Sequence, residues 1–263
     1  MTAHEFYQQG KLREAVTAAL DEVKRSPADV AKRGFLAELL CLSGDLERAD
    51  RQLAAAGEPD PETLVEITLF RNLIRADQAR QQFYSAGRMP EFLNQDITPN
   101  LRYHLEASVL LRDGKFAEAS ALLRQANEER PQYPGTCNDK PFDDICDLDD
   151  LTSSFIEVLS STGAYYWIPF EKIESLEFVA WTRPRDLLWR RAQLMIRNGP
   201  DSEVYVPALY AGSAVEADDL IRLGRATQWR GEEGAPVRGV GQRVFLAGDD
   251  DRPILDVQKL TFG

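Results

Sequence analysis

In the first half of the chain apolar residues recur at intervals of three and four, in a frame punctuated by glycine. Gly10, Gly44 and Gly114 each open a Gly-x-apolar-x-x-Ala run: Leu12, Leu46 and Phe116 stand two positions on, and Ala15, Ala49 and Ala119 five on. Nine on stand Ala19, Leu53 and Leu123; seventeen on stand Pro27, Pro61 and Pro131; twelve on, the pattern holds at Ala56 and Ala126 but breaks at Glu22. The starts are 34 and then 70 residues apart, close to one and two lengths of a 34-residue repeat. Before Gly44 run Leu36, Leu39 and Leu40, and before Gly114 run Leu101, Leu105 and Leu111, both at helical spacing. Each Gly is therefore predicted to end one helix in the left-handed conformation, and each Ala to let the next helix approach it closely. The Pro then stops that second helix.

This grammar resembles the tetratricopeptide repeat, a stack of helix pairs, and predicts a helical-repeat domain over residues 1–135, its Leu and Ala positions packed between helices. Between Pro61 and Thr98 the register is lost. Leu64, Leu69, Leu73 and Ile74 keep the helical period there, which predicts a degenerate repeat with one long helix. Thr98 and Pro99 restart the array as N-cap and first helical residue.

From about residue 140 the period changes to two. "SFIEVLSSTGAYYWIPF" reads as a hairpin, and "SLEFVAW", "EVYVPALY", "QRVFLAG" and "PILDVQKLTF" read as further strands, the last two joined by a Gly-Asp-Asp-Asp turn. The fold class predicted is α+β: the all-α array, then a small antiparallel, barrel-like (SH3-like) domain over 136–263. An acidic connector, 139–150, carries Asp143, Asp144, Asp147, Asp149 and Asp150. It is expected to fold back on the β-rich half by burying Phe142 and Ile145, its carboxylates meeting the arginines of "RPRDLLWRR".

Charge narrows the function. The net charge of -12 is shared, with 17 basic against 22 acidic residues in 1–139 and 14 against 21 in 140–263, so neither half favours nucleic acid or an anionic membrane. Cys41, Cys137 and Cys146 are an odd set expected to be reduced thiols, and the chain shows no signal peptide and no apolar run of about 18 residues. A cytoplasmic protein is expected. The Asp string lacks the Gly and distal Glu of a calcium loop, and Cys137 and Cys146 lie too far apart for a zinc pair. His4 and His104 are the only histidines, and the common hydrolase, nucleotide and dinucleotide motifs are missing. No catalytic residue, metal or cofactor is expected. One stretch, Trp181–Arg191, interleaves Trp181 and Trp189 with Arg183, Arg185, Arg190 and Arg191, as readers of nucleic acid or anionic ligands do; the alternative is that the tryptophans fill the core and the arginines pair with acids.

The segments "FDDICDLDD", "GAYYWIPFEKI", "RDLLWRRAQL", "VPALYAGS", "LGRATQW" and "GVGQRVFLAGDD", followed by "LDVQKLTF", resemble the ImpE family, also called SciE-type or TagJ, accessory proteins of bacterial type VI secretion systems. The resemblance implies a non-enzymatic cytoplasmic protein that engages the small subunit of the contractile sheath by gripping a helix from that subunit's N-terminal region. Helical arrays offer a concave groove for such a helix. From spacing, its lining is expected to include Glu38, Cys41, His104, Ser108 and Arg112 on first helices, with Arg71 and Arg75 from the degenerate middle.

Overall fold

A computed structural model describes residues 1–57 and 59–263, with Gln95 described by its backbone alone. The helical half contains α1 (Ala3–Gln8), α2 (Leu12–Arg25), α3 (Val30–Leu42), α4 (Leu46–Ala54), α5 (Pro61–Ala86), α6 (Pro99–Arg112) and α7 (Phe116–Glu129). α1 packs on α2, α3 on α4 and α6 on α7, and the 26-residue α5 runs alone between the second and third pairs. Gly10, Gly44 and Gly114 follow the first helix of each pair at φ of +76°, +78° and +73°, a conformation that only glycine adopts freely. Ala15, Ala49, Ala119 and Ala126 are fully buried where the paired helices meet. Glu22, the exception in the pattern, places its carboxylate on the Ala3 N–H at 2.9 Å. Thr98 caps α6 through the Leu101 N–H and Pro99 takes the first helical position. Pro61 departs from expectation. It starts α5 behind an Asp60 cap, α4 having already ended at Ala54.

Helix gives way to strand at β1 (Gly135–Cys137), followed by β2 (Lys140–Phe142), β3 (Ile145–Asp147), β4 (Phe155–Ser160), β5 (Tyr165–Pro169), β6 (Ile173–Phe178), β7 (Trp189–Ile196) and β8 (Asp201–Pro207). A four-residue helix, α8 (Asp219–Arg222), precedes β9 (Thr227–Arg230), β10 (Arg238–Gly241), β11 (Val244–Ala247), β12 (Asp250–Pro253) and β13 (Lys259–Phe262). The strands make an antiparallel eight-stranded sheet in the order β2-β1-β13-β6-β7-β8-β4-β5, a three-stranded sheet β12-β11-β3 and the hairpin β9-β10. The large sheet does not close. β2 and β5 are its two ends, so the barrel-like, SH3-like expectation is replaced by an open sheet with a smaller one packed beside it. The β5 edge is covered by the helical half: Glu91 accepts from the Trp167 N–H at 3.1 Å and donates to the Tyr165 carbonyl at 2.8 Å.

At β4 both faces of the large sheet are buried, which is why β4 reads as apolar from Phe155 to Leu159 apart from Glu157. Phe155 and Leu159 of β4, with Tyr165, Trp167, Trp189 and Tyr205, share one core with α3 and α5. Trp167 stacks on Phe155 at 4.0 Å between centroids and takes Phe83 of α5 edge-on at 4.7 Å. Ile156 and Val158 point the other way, into a second core with Phe170, Leu176, Phe245 and Leu260. The face of the helical array expected to be an empty groove thus holds the molecule's own sheet.

The 139–150 segment is strand where a connector is expected. Phe142 and Ile145 are buried, but the acids find different partners from those expected: Asp144 pairs with Arg130 at 2.5 Å, Asp147 with Arg243 and Asp149 with Arg238. None of these arginines lies in the 183–191 stretch.

Candidate functional site

The seam between helices and sheet is organised around Glu157. As the sole acid on the helix-facing side of β4, it must find cations there, and α5 supplies one: Asp77, Arg80 and Tyr84, at three- and four-residue spacing, share the helix face that meets the sheet. Arg80 donates to both Glu157 oxygens, from Nε at 2.9 Å and Nη2 at 2.8 Å. Tyr84 and Tyr165 donate their hydroxyls at 2.9 and 2.6 Å, and Arg243 completes the set. Arg243, itself fully buried, bridges on to Asp147, whose Oδ1 takes the Tyr210 hydroxyl at 2.7 Å and the Asp149 N–H at 3.0 Å. Asp149 in turn accepts from Arg238 Nε at 2.8 Å and the Gly239 N–H at 3.0 Å. A chain of paired charges therefore runs from α5 through β4 and the acidic segment to the β9-β10 hairpin.

Burial pushes the Glu157 carboxyl up, but Arg80 and Arg243 outweigh it and hold it well below the usual carboxylate range. For Asp147 burial wins over Arg243 and lifts the carboxyl to about 6. Each of these acids already accepts from a guanidinium, so the chain acts as a clamp, since buried charges persist only when paired.

Clefts open along the same seam. One of about 520 Å³ lies between α6, the start of α7 and residues 230–238, walled by Tyr84, Leu111, Arg112, Phe116 and Pro236. A second, of about 600 Å³, lies between α1, α3, α5 and residues 182–185, walled by Phe35, Ile67 and Phe70 with Glu38, Glu66 and Arg185. A third, of about 380 Å³, is lined by Cys41, Asp77, Gln81 and Leu209. In the second cleft Glu38 is only 9% exposed, and no side chain among the described residues hydrogen-bonds or pairs with it. Burial raises its carboxyl to about 7, opposed by Arg185 at longer range.

Residues 139–261 match the family model described as ImpE protein. Along its whole length the chain is 32% identical, over 265 aligned positions, to the type VI secretion system accessory component TagJ of Pseudomonas aeruginosa, 91% of which is covered. This chain belongs to the ImpE/TagJ family. A crystal structure of a Vibrio parahaemolyticus protein shares the fold at a TM-score of 0.91 and 28% identity, over 99% of this chain and 97% of that one.

Within this ImpE/TagJ fold the expected groove residues are dispersed. Ser108 and Arg112 line the first cleft, where Arg112 also donates to the Phe83 carbonyl at 3.1 Å. Glu38 lines the second and Cys41 the third. Cys41 is buried, and burial pushes its thiol up. His104 reaches none of the three clefts: it is fully buried against Phe155, its Nδ1 lies 2.9 Å from the Leu151 carbonyl, and burial lowers it to about 4. Arg71 and Arg75 share a pocket with Asp50 outside the three clefts, Arg71 pairing with Asp50 at 2.7 Å and Arg75 donating to Asn72 at 3.1 Å beside Gly163 of the β4–β5 turn. His104 therefore packs against the molecule's own sheet and faces no open groove, while Cys41 is buried at the wall of the third cleft.

The 181–191 stretch is also divided. Trp189 is core, Arg190 donates to the Ile254 and Val257 carbonyls, and Arg191 pairs with Glu203 at 3.0 Å. Arg183 pairs with Glu66 at 3.1 Å and Arg185 lies over Phe70, leaving Trp181, 52% exposed, as the open ring of the set. Each of these arginines has a partner within the chain. Among the described residues no group of three His, Cys, Asp or Glu side chains could hold a metal ion, and no helix is long and apolar enough to cross a membrane.

Phe116 was read in the sequence only as the apolar position of the third repeat. It stands where Leu12 and Leu46 are buried, yet is 52% exposed at the mouth of the first cleft. Its aromatic ring, out of step with the leucines at the equivalent positions, was the available signal.

Proposed function

We propose that this ImpE/TagJ chain is an accessory component of a type VI secretion system that acts by binding, and that it holds a helix from the N-terminal region of the small contractile-sheath subunit. The full-length identity to TagJ supports the accessory role; the sheath helix as partner rests on the family resemblance. The seat we assign to the helix is the second cleft. There α1, α3 and α5 leave uncovered a stretch of the concave face that the sheet fills elsewhere, and Phe35, Ile67 and Phe70 offer apolar walls to a helix with anchors one turn apart.

The test uses the whole chain, because one core joins its halves. A fluorescent peptide spanning the N-terminal helix of the small sheath subunit should bind in an anisotropy titration, and Phe70→Ala should weaken it. A proline in the peptide's helix should abolish binding. Failure of the peptide and of the intact subunit to bind would reject the assignment.

A further inference from the structure

Glu38 is an acid the fold leaves alone. It lies in the third turn of α3, nine-tenths buried, with its carboxylate at the wall of the second cleft. Glu157, Asp147 and Asp149 each accept from a guanidinium, whereas Glu38 accepts from nothing among the described residues. Its oxygens are not among the sealed, unpartnered polar atoms of the described residues, so they open on the cleft, where a donor from outside the chain can reach them.

The cleft shows what that donor resembles. The segment Arg183-Pro184-Arg185 already rests against it, with Arg183 on Glu66 and the Arg185 guanidinium 5.3 Å from the centre of the Phe70 ring. Aromatic walls beside carboxylates suit a cation carried on an apolar stem. The chain's net charge of -12 also draws basic segments toward it.

We propose that Glu38 anchors a lysine or arginine side chain of the partner's helix, its stem lying along the half-buried cleft wall at Ile67 while its cationic head meets the carboxylate. The proposal rests on the partner-helix reading for the source of the side chain and on the cleft alone for its chemistry. Burial that now favours the protonated acid would be overcome by the incoming cation, so binding at neutral pH should release a proton.

Two measurements on the full chain separate the possibilities. In the first, the sheath-subunit peptide is titrated into wild type and Glu38→Gln, with each basic residue of the peptide changed in turn to Met. Glu38→Gln should lose about tenfold or more in affinity, as should one Met peptide, and the two losses should not add. In the second, butylguanidinium and butylammonium are titrated while the carboxyl carbon of Glu38 is followed by NMR, where a shift toward the ionised form is expected. A cation-induced shift with a silent peptide would reject the sheath helix as partner and support the cation pocket. Equal peptide affinity in wild type and Glu38→Gln, or a carboxyl carbon unmoved by either cation, would overturn the proposal.

Discussion

Replacing Arg80 by Met keeps most of the side-chain length on α5 and removes only the head group. Three hydrogen bonds go with it, two to Glu157 and one, at 3.0 Å, to the Leu209 carbonyl. Glu157 retains Arg243, Tyr84 and Tyr165, so its charge is not wholly abandoned. Removing one partner of a buried pair costs about 3–5 kcal/mol, and the remaining donors place this case near the lower end. Glu157 now titrates below its unfolded value and so stabilises the fold above the normal carboxylate range, a contribution lost as pH falls through its depressed folded pKa. Arg80 is the larger of the two cationic causes, so Arg80→Met should also shrink that acid-dependent loss. Urea unfolding at pH 7.5 and in a series carried down below about pH 3 measures both effects. The double change Arg80→Met with Glu157→Gln should cost less than the sum of the singles, because each single strands the other's partner. A loss below about 1 kcal/mol for Arg80→Met, with additive double-mutant energies, would refute the clamp.

Three further outcomes are expected. His104 has a folded pKa of about 4 against an ordinary 6.5, so between those values the unfolded chain takes up the proton first and stability falls with pH by about 3 kcal/mol in all; His104→Asn should flatten that part of a urea-unfolding pH series relative to wild type. Glu38 has the opposite sign, its folded pKa being raised from 4.5 to about 7, so its contribution improves as pH falls through that window, and Glu38→Gln should gain up to about 3 kcal/mol above pH 7 in the same assay. Phe142→Ser with Ile145→Ser empties two buried positions at several kcal/mol and should speed protease nicking between residues 131 and 151, while Asp143→Asn, at an exposed position, should leave it unchanged.

Local features of the helical half were legible because they depend on nearby residues: glycine turns, alanine contacts, the Thr98 cap and the length of α5 all follow from neighbours within a turn or two. The hairpin of β4 and β5 was legible for the same reason. β1 and β3 were hidden in a Pro- and Asp-rich stretch because their pairing partners, β13 and β11, lie about a hundred residues downstream, and β2, the edge strand that pairs with β1, was hidden with them. Partner choice for the acids failed on the same ground. Arg243 and Arg238 are distant in sequence, whereas the nearer Arg183 and Arg185 turn toward α5. The groove residues dispersed because a repeat pattern describes how helices pack on each other and says nothing of a sheet laid across them.

The cap on α2 has a consequence for the order in which the chain is made. Asp219 accepts from the Leu12 and Arg13 N–H groups, and Arg225 donates to the Tyr7 and Gln8 carbonyls at the end of α1. Leu12 and Asp219 are 207 residues apart, which at usual synthesis rates is about 10–40 s of translation. α1 and α2 therefore leave the ribosome well before the segment that satisfies their ends, and the helix face that meets the sheet waits for β4, β5 and β7 before its core is filled. During that interval the Phe70 and Phe83 side chains of α5 have no sheet to cover them, so the nascent helical half is the stage at which this protein is most in need of a holding chaperone.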